Sequence, residues 1–471
     1  MSEKFDVIII GAGLSGLLSA SLLSRKGLKV CILEKNKDIG GMIQPFRRNG
    51  LSLDTGMNFF GACKKDQIQY KLFEIFGIAD DVLISEISDF ELIIDNKKFI
   101  LPNNFNAFKT QLISYFPEEK KGIIAFIEKI KEISESLIID NINFTKTFQK
   151  YYSESASEFI KTVTKNKELQ NLLKFNSLLY GNNFETLPLY IYAAITGSFL
   201  QSAEMFTKGT KHFIEIIINN IYKNSGIIYT NKEVSKIKTE ENKVTYCVCN
   251  DGLEYHAKYF LSTIHPQNLL PKIDSALLKS FYRKRISELP NSKGVLIINV
   301  ILKEKKIIFD KKPKFINSNN ESILVYHPVS GKKKEFSGII KIMCEDNMFD
   351  YEKWVHTKTG RRGKAYYKFK REKAERIILE VEKIVPGFSN AIYKYYVSTP
   401  LTFKDFTGSP EGSAYGILKN FNKISETILP INTKFNNLYL TGQSINFHGL
   451  LGVSLTSVSV CSAIMKKKIF D

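Results

Sequence analysis

The chain has 471 residues, 44% hydrophobic, 12% aromatic and 24% charged, a composition that excludes a disordered polypeptide, and no run of about 18 uninterrupted apolar residues marks a membrane span. Its 67 Lys and Arg against 48 Asp and Glu give a net charge of +19, which implies either a basic surface spread over the whole molecule or an anionic neighbour. The six cysteines include no C-x-x-C pair, which excludes a zinc ribbon or a disulfide framework and fits a reducing compartment.

The N-terminal residues carry no signal-peptide pattern, because Glu3 and Asp6 precede a glycine-interrupted apolar run. The expected location is therefore cytoplasmic, with peripheral contact at the inner face of a membrane as a further expectation. The stretch "DVIIIGAGLSGLLSASLLSRKGLKVCILEKNKDIGG" opens with a β-branched run at residues 7–10, the pattern of a strand buried on both faces. Gly11, Gly13 and Gly16 then spell G-x-G-x-x-G, followed by a small-residue helix and a second strand ending at Glu34. Gly11 permits a tight turn, Gly13 lets a pyrophosphate approach the backbone, and Gly16 lets helix meet strand, with the helix N-terminus favouring phosphate charge. Ala12 and Ser15 lie in the same turn. Glu34, followed by Lys35, is placed to accept hydrogen bonds from a ribose diol and would repel a 2′-phosphate, so NADP is disfavoured here.

FAD and NAD share this fingerprint. Beyond Glu34 comes "DIGGMIQPFRRNGLSLDTGMNFFG", with Gly40, Gly41 and Met42 and then Asp54 and Gly56. This resembles the second signature of the FAD-containing amine oxidase and phytoene desaturase superfamily, whose Gly-Gly turn packs beside the diphosphate and ribityl chain. The resemblance implies FAD as the cofactor. No second G-x-G-x-x-G occurs in a strand-helix context, so the external electron partner is expected to be NAD(P)H visiting transiently, or a quinone.

Residues 62–202 read as mainly helical, from apolar positions at three-four spacing. Residues 187–206 are aromatic and small with few charges, which suits either core packing or the lining of an apolar tunnel. A helix is expected from Lys208-Gly209, then short strands with turns at Glu241-Asn242 and Asp251-Gly252. In the resembling superfamily this part returns the chain to the FAD domain, and Val234 falls where backbone groups hold the adenine. The next 150 or so residues alternate strands with a basic helix near residues 364–385. Basic and aromatic residues mix at 353–376, a candidate contact for an anionic membrane surface rather than for nucleic acid.

Near the end, "NLYLTGQSINFHGLLGVSLTSVSVCSAIMKKK" predicts a short strand, a turn at Gly442 and a small-residue helix from about Leu451 that includes Gly452 and Val453. A helix N-terminus directed at the flavin pyrimidine would stabilise the anionic reduced ring. "TGQSINFHGLLG" and "STPLTFKDFTGSPEGSAYG" together resemble bacterial members of the phytoene desaturase, carotenoid isomerase and retinol saturase group. That resemblance implies an α/β fold: a Rossmann-type FAD-binding domain (1–62, 203–270 and 425–471) interleaved with an α+β substrate domain of mixed sheet and helices (63–202 and 271–424).

It also implies an FAD-dependent oxidoreductase that desaturates, saturates or isomerises C=C bonds of a long apolar polyene or isoprenoid. Where that group usually reads Gly-x-His-Tyr, this chain has Gly56-Met57-Asn58-Phe59, which speaks against retinol itself. His448 is the first catalytic candidate, as a proton donor or as a turn-stabilising histidine, followed by Tyr415 and Asn58. No metal-ligand pattern competes. One alternative is an amine-oxidase-like flavoenzyme, which would be expected to show an aromatic cage, whereas Trp354 is the only tryptophan. The other is a non-catalytic lipid or prenyl escort on the same scaffold, in which the dinucleotide glycines would be expected to be degraded; here they are intact.

Overall fold

The β-branched run at the start of the chain becomes the strand Lys4–Ile10, central in a seven-stranded sheet of the computed structural model. The structure describes residues 4–56, 59–139, 150–181, 183–303, 312–318, 321–328 and 338–469. Strand order in this sheet is Ile227–Tyr229, Val30–Leu33, Lys4–Ile10, Glu254–Ser262, Lys243–Cys249 and Val234–Glu240. The first four run parallel, with Val7 opposite both Val30 and Tyr259. Val7 and Ile9 face a core shared with the helices, and Ile8 and Ile10 face a second cluster containing Leu278, Ile286 and Leu429. Burial on both faces is why the run is continuously apolar rather than alternating.

Glu254–Ser262 changes partner along its length. Its first half pairs antiparallel with Lys243–Cys249, and its last three residues pair parallel with Leu438–Leu440. The carboxyl ends of Lys4–Ile10, Val30–Leu33, Glu254–Ser262 and Leu438–Leu440 thereby meet at one edge, the place where open α/β sheets bind ligands.

A second seven-stranded sheet runs Ile392–Ser398, Gly294–Leu302, Ile339–Asp346, Glu321–Tyr326, Lys314–Ser318, Asp89–Ile94 and Lys97–Pro102. One face (Leu296, Ile298, Val300, Ile340, Ile342) packs on the basic helix Gly363–Ile384 through Ile377, Ile378 and Val381. The other face, with Val295, Ile297, Leu324 and Met343, joins the main core. The strands Asp89–Ile94 and Lys97–Pro102 form a hairpin inside the segment expected to be mainly helical. Its two-residue turn is Asp95-Asn96 with φ of 47° and 66°, the left-handed pair that Asp and Asn tolerate and that matches strand twist.

Apart from the short strand Ile84–Glu86, which pairs with Ala203–Phe206, the segment's other regular elements are helical, including Phe105–Tyr115, Lys120–Ile139 and Leu189–Gln201. Several cations of the basic segment are held internally: Arg362 on Asp405, Lys373 on Asp346 and Asp350, and Arg376 on Glu321. Lys353, Lys358, Arg361, Lys364, Lys368 and Arg371 are exposed. All six cysteines are buried and none is in a disulfide. Among the described residues no helix is long and apolar enough to cross a membrane.

Candidate functional site

Turns from distant parts of the chain meet at the shared strand edge. The chain leaves Lys4–Ile10 through Gly11, whose φ of +101° favours glycine and where a Cβ would lie 2.6 Å from Thr263 Oγ1. A Cβ at Gly16 would lie 2.2 Å from the Gly11 carbonyl oxygen, so helix and strand approach this closely only with glycine there. Gly13 behaves differently: its Cβ would meet nothing within 4 Å. It is the N-cap of Leu14–Arg25 with no side-chain cap, which leaves the helix's first N–H groups directed at the cavity in front of it. Gly40 forms an isolated parallel β-bridge with Gly13, and a Cβ at Gly41 would lie 3.0 Å from Gly13 Cα. The turn at Gly442 closes the cradle, 3.4 Å from Ser15 Oγ by the same measure.

Glu34 is buried at the end of Val30–Leu33 and holds this cradle as well as facing it. One carboxylate oxygen accepts the Ala12 N–H at 2.8 Å and the other the Asn36 N–H at 2.8 Å. A carboxylate has about four lone-pair sites, so both oxygens retain capacity for a diol.

A cavity of about 810 Å³ runs from Glu34, Lys35 and Val234, past Gly11, Gly13, Ser15, Gly40, Gly41, Met42 and Gly442, to His448, Tyr415 and Val453. It continues into an apolar arm walled by Phe59, Ile195, Phe199, Ile297 and Met343. Ala12, Gly16 and Gly452 stand behind this lining; at Gly452 a Cβ would come within 2.3 Å of the Phe447 carbonyl oxygen. Asn58 lies outside the described residues. The helix Leu189–Gln201 is buried along nearly its whole length and shows Ile195, Ser198 and Phe199 to the cavity, so it both packs and lines.

The cradle fits a flavin dinucleotide. The space at Gly13 would be filled by any Cβ, and two helix N-termini, at Leu14–Arg25 and Gly449–Met465, lack side-chain caps. The buried Oγ1 of Thr441, on the cavity wall, has no hydrogen-bond partner among the described residues. Such a set of donors suits a diphosphate at one helix and the electron-rich pyrimidine edge at the other.

His448 and Tyr415 are brought together with ring centroids 4.5 Å apart. His448 Nε2 lies 2.7 Å from the Leu179 carbonyl oxygen and the Tyr415 hydroxyl donates to the Leu178 carbonyl at 3.1 Å. A carbonyl only accepts, so Nε2 carries the hydrogen. Burial holds the imidazole neutral by pushing its pKa down to about 4, which leaves Nδ1 without a proton to give. The pair forms a clasp between the C-terminal turn and the segment at 178–179, and the geometry favours the turn-holding role of His448 over proton donation.

Three further residues complete the site. Buried Lys419 donates to the carbonyls of Thr427 (2.7 Å), Ser444 (2.7 Å) and Ile445 (3.2 Å), and burial pushes its ammonium down to about 7. It pins the turn leading to His448, and nothing in its local sequence signals that. Thr263 Oγ1 donates to the Ile10 and Gly11 carbonyls at 3.0 and 3.1 Å. Asp54, beside the second glycine signature, accepts from Thr210 Oγ1 (2.7 Å) and N–H (3.3 Å) and so caps Gly209–Lys223.

The model of the family described as flavin containing amine oxidoreductase matches residues 14–452. The human all-trans-retinol 13,14-reductase is 22% identical over 534 residues, covering 100% of this chain and 87% of the relative. The chloroplastic prolycopene isomerase 1 of an Oncidium hybrid cultivar is 23% identical over 504 residues, covering 97% and 83%. Among solved structures, putrescine oxidase with bound putrescine superposes with a TM-score of 0.69 at 13% identity, covering 99% of this chain and 100% of that one; at that identity the likeness concerns the fold alone.

Proposed function

Because the chain belongs to the flavin containing amine oxidoreductase family and is an FAD-dependent oxidoreductase, we propose that its substrate is a long apolar molecule of polyene or isoprenoid type. The enzyme desaturates, saturates or isomerises C=C bonds of that molecule. The observation that carries this reading is the apolar arm that leads away from the glycine cradle. Phe59 packs on Phe199 with centroids 5.4 Å apart and on Phe90 at 5.2 Å, giving a preformed aromatic wall to the cavity that Ile297 and Met343 also line. Relatives that match nearly the whole chain are named for a retinol reductase and a carotenoid isomerase, and both names describe extended apolar substrates.

When bound, FAD supplies hydride acceptance or donation. The chain's own residues hold the cofactor, orient the substrate and exclude water, which an unactivated double bond needs more than a strong base. The His448–Tyr415 clasp commits both polar hydrogens to backbone carbonyls, so neither competes for the apolar substrate. An amine substrate is disfavoured. Among the described residues the carboxylates lining the cavity are Glu34 and Glu233, both at the cradle end, and Trp354 packs on Tyr366 and Phe369 rather than lining it.

The external electron partner is NAD(P)H or a quinone, and the substrate is drawn from an anionic membrane surface against the exposed cations of the basic segment. The deciding experiment is anaerobic absorption spectroscopy of the purified protein with NADPH, dithionite and a quinone, followed by product analysis with a carotenoid-type polyene. Flavin bands that bleach, together with a change in the polyene's double bonds, support the reading. Turnover of an amine in place of the polyene would overturn it.

A further inference from the structure

On the cavity-facing side of the second sheet, one polar row crosses four strands. Asn299 pairs with Lys341 on one side and Tyr396 on the other, and Lys341 pairs with Tyr326. Side chains alternate along a strand, so Asn299 shares its face with cavity-lining Ile297, and Lys341 shares its face with cavity-lining Met343. At 3.3–3.4 Å per residue the row lies about 7 Å beyond that wall. Tyr326 joins it to the wall directly, its ring 6.2 Å from that of Phe59.

Asn299, Lys341 and Tyr326 are buried, Tyr396 is half-buried, and the row's hydrogen bonding is incomplete. Asn299 and Lys341 are each 1% exposed. Lys341 Nζ, both side-chain heteroatoms of Asn299 and the Tyr396 hydroxyl have no hydrogen-bond partner among the described residues. Lys341 Nζ sits 5.5 Å from the centroid of the Tyr326 ring. The carboxylate that acts on Lys341 electrostatically is Asp54, whose oxygens accept from Thr210. Burial lowers the Lys341 pKa to about 8. An ammonium in such a place is destabilising unless something pairs with it.

We propose that this row binds the carboxylate end of a long apolar substrate, with Lys341 as counter-ion and Asn299 and Tyr396 as hydrogen-bond donors. The inference rests on the apolar-substrate reading above and deepens it. An ammonium, an amide N–H₂ and a phenol are three donors set side by side on adjacent strands, and a carboxylate is the acceptor-only group that satisfies them with a single charge. Its position beyond Phe59 anchors the non-reacting end and leaves the chain to lie along the apolar arm toward the flavin. Anchoring one end fixes which carbons of an otherwise featureless chain reach the reacting position.

The test is a fluorescence titration of the FAD-loaded protein with cis-parinaric acid, a conjugated polyene carboxylate, and with its methyl ester. The acid is expected to bind at least about tenfold tighter than the ester, as for a charge-assisted hydrogen bond. Lys341→Met is expected to bring the two within about twofold while leaving ester affinity and FAD content unchanged, and Asn299→Leu to weaken the acid several-fold. Lys341→Met is also expected to melt no lower than the parent, because it removes a buried charge that has no hydrogen-bond partner among the described residues. Equal binding of acid and ester by the parent, or a preference that survives Lys341→Met, overturns the carboxylate site and leaves the apolar-substrate reading standing. Binding of neither probe by FAD-loaded protein removes both.

Discussion

Replacing Glu34 by Ala tests whether the acidic residue of the fingerprint serves the cofactor alone or the cradle too. Both of its oxygens accept backbone N–H groups at 2.8 Å, from Ala12, which is fully buried, and from Asn36, which is half-buried. Truncation strands the Ala12 amide without water and leaves the Asn36 amide to be rehydrated. A stranded buried donor costs about 1–3 kcal/mol and a rehydratable one less, so the apoprotein is expected to lose about 2–4 kcal/mol, with Glu34→Gln intermediate because it keeps one acceptor oxygen.

The assay is urea unfolding of FAD-free protein, in which the loss appears as a lower midpoint. A parallel FAD titration reads the ribose contact: losing hydrogen bonds to a charged acceptor is expected to weaken binding at least about tenfold. An Ala variant whose apoprotein unfolds at the parent's urea concentration would refute the stapling role. An unchanged FAD dissociation constant would refute the ribose role, and the two results are independent.

Gly13→Val is expected to fold, because a side chain there meets nothing in the protein, and to be purified without flavin; full flavin content would falsify the diphosphate placement. Glu204 is buried, and desolvation raises its carboxyl from 4.5 to about 7, so between those values the folded chain binds more protons than the unfolded chain and stability falls as pH rises. Glu204→Gln is therefore expected to gain up to about 3 kcal/mol above about pH 7 and nothing below pH 4.5; a variant no more stable in alkaline buffer would count against it. His448→Gln is expected to lower the melting temperature without removing a histidine-like ionisation from the pH profile of kcat/KM, and the disappearance of such an ionisation in the variant would restore His448 as a proton carrier. If Lys353, Lys358, Arg361, Lys364, Lys368 and Arg371 meet a membrane, co-sedimentation requires anionic vesicles and weakens with salt; equal recovery on neutral vesicles would discard that contact.

What the sequence revealed follows distance along the chain. Gly11, Gly13, Gly16, Glu34, Gly40 and Gly41 lie within 31 consecutive residues and act through backbone geometry, so their spacing is already the geometry of the cradle. The hairpin at Asp89–Ile94 and Lys97–Pro102 had a local signal too, in "LIIDNKKFIL", where Asp-Asn separates two β-rich runs. Helical periodicity on both sides obscured it.

The site's other features are products of pairing at long range. His448 meets Leu179 across 269 positions and Asp54 meets Thr210 across 156, and no periodicity in either segment encodes the partner. Lys341 sits in "IIKIMC" and Asn299 in "LIINVI", each a polar residue interrupting an apolar strand, which alone reads as an imperfect core. Only the register that sets Asn299 beside Lys341 and Tyr396 turns two imperfections into one site. Natural cores keep buried polar groups satisfied, so the breaks that align across neighbouring strands are those for which a ligand supplies the physical reason.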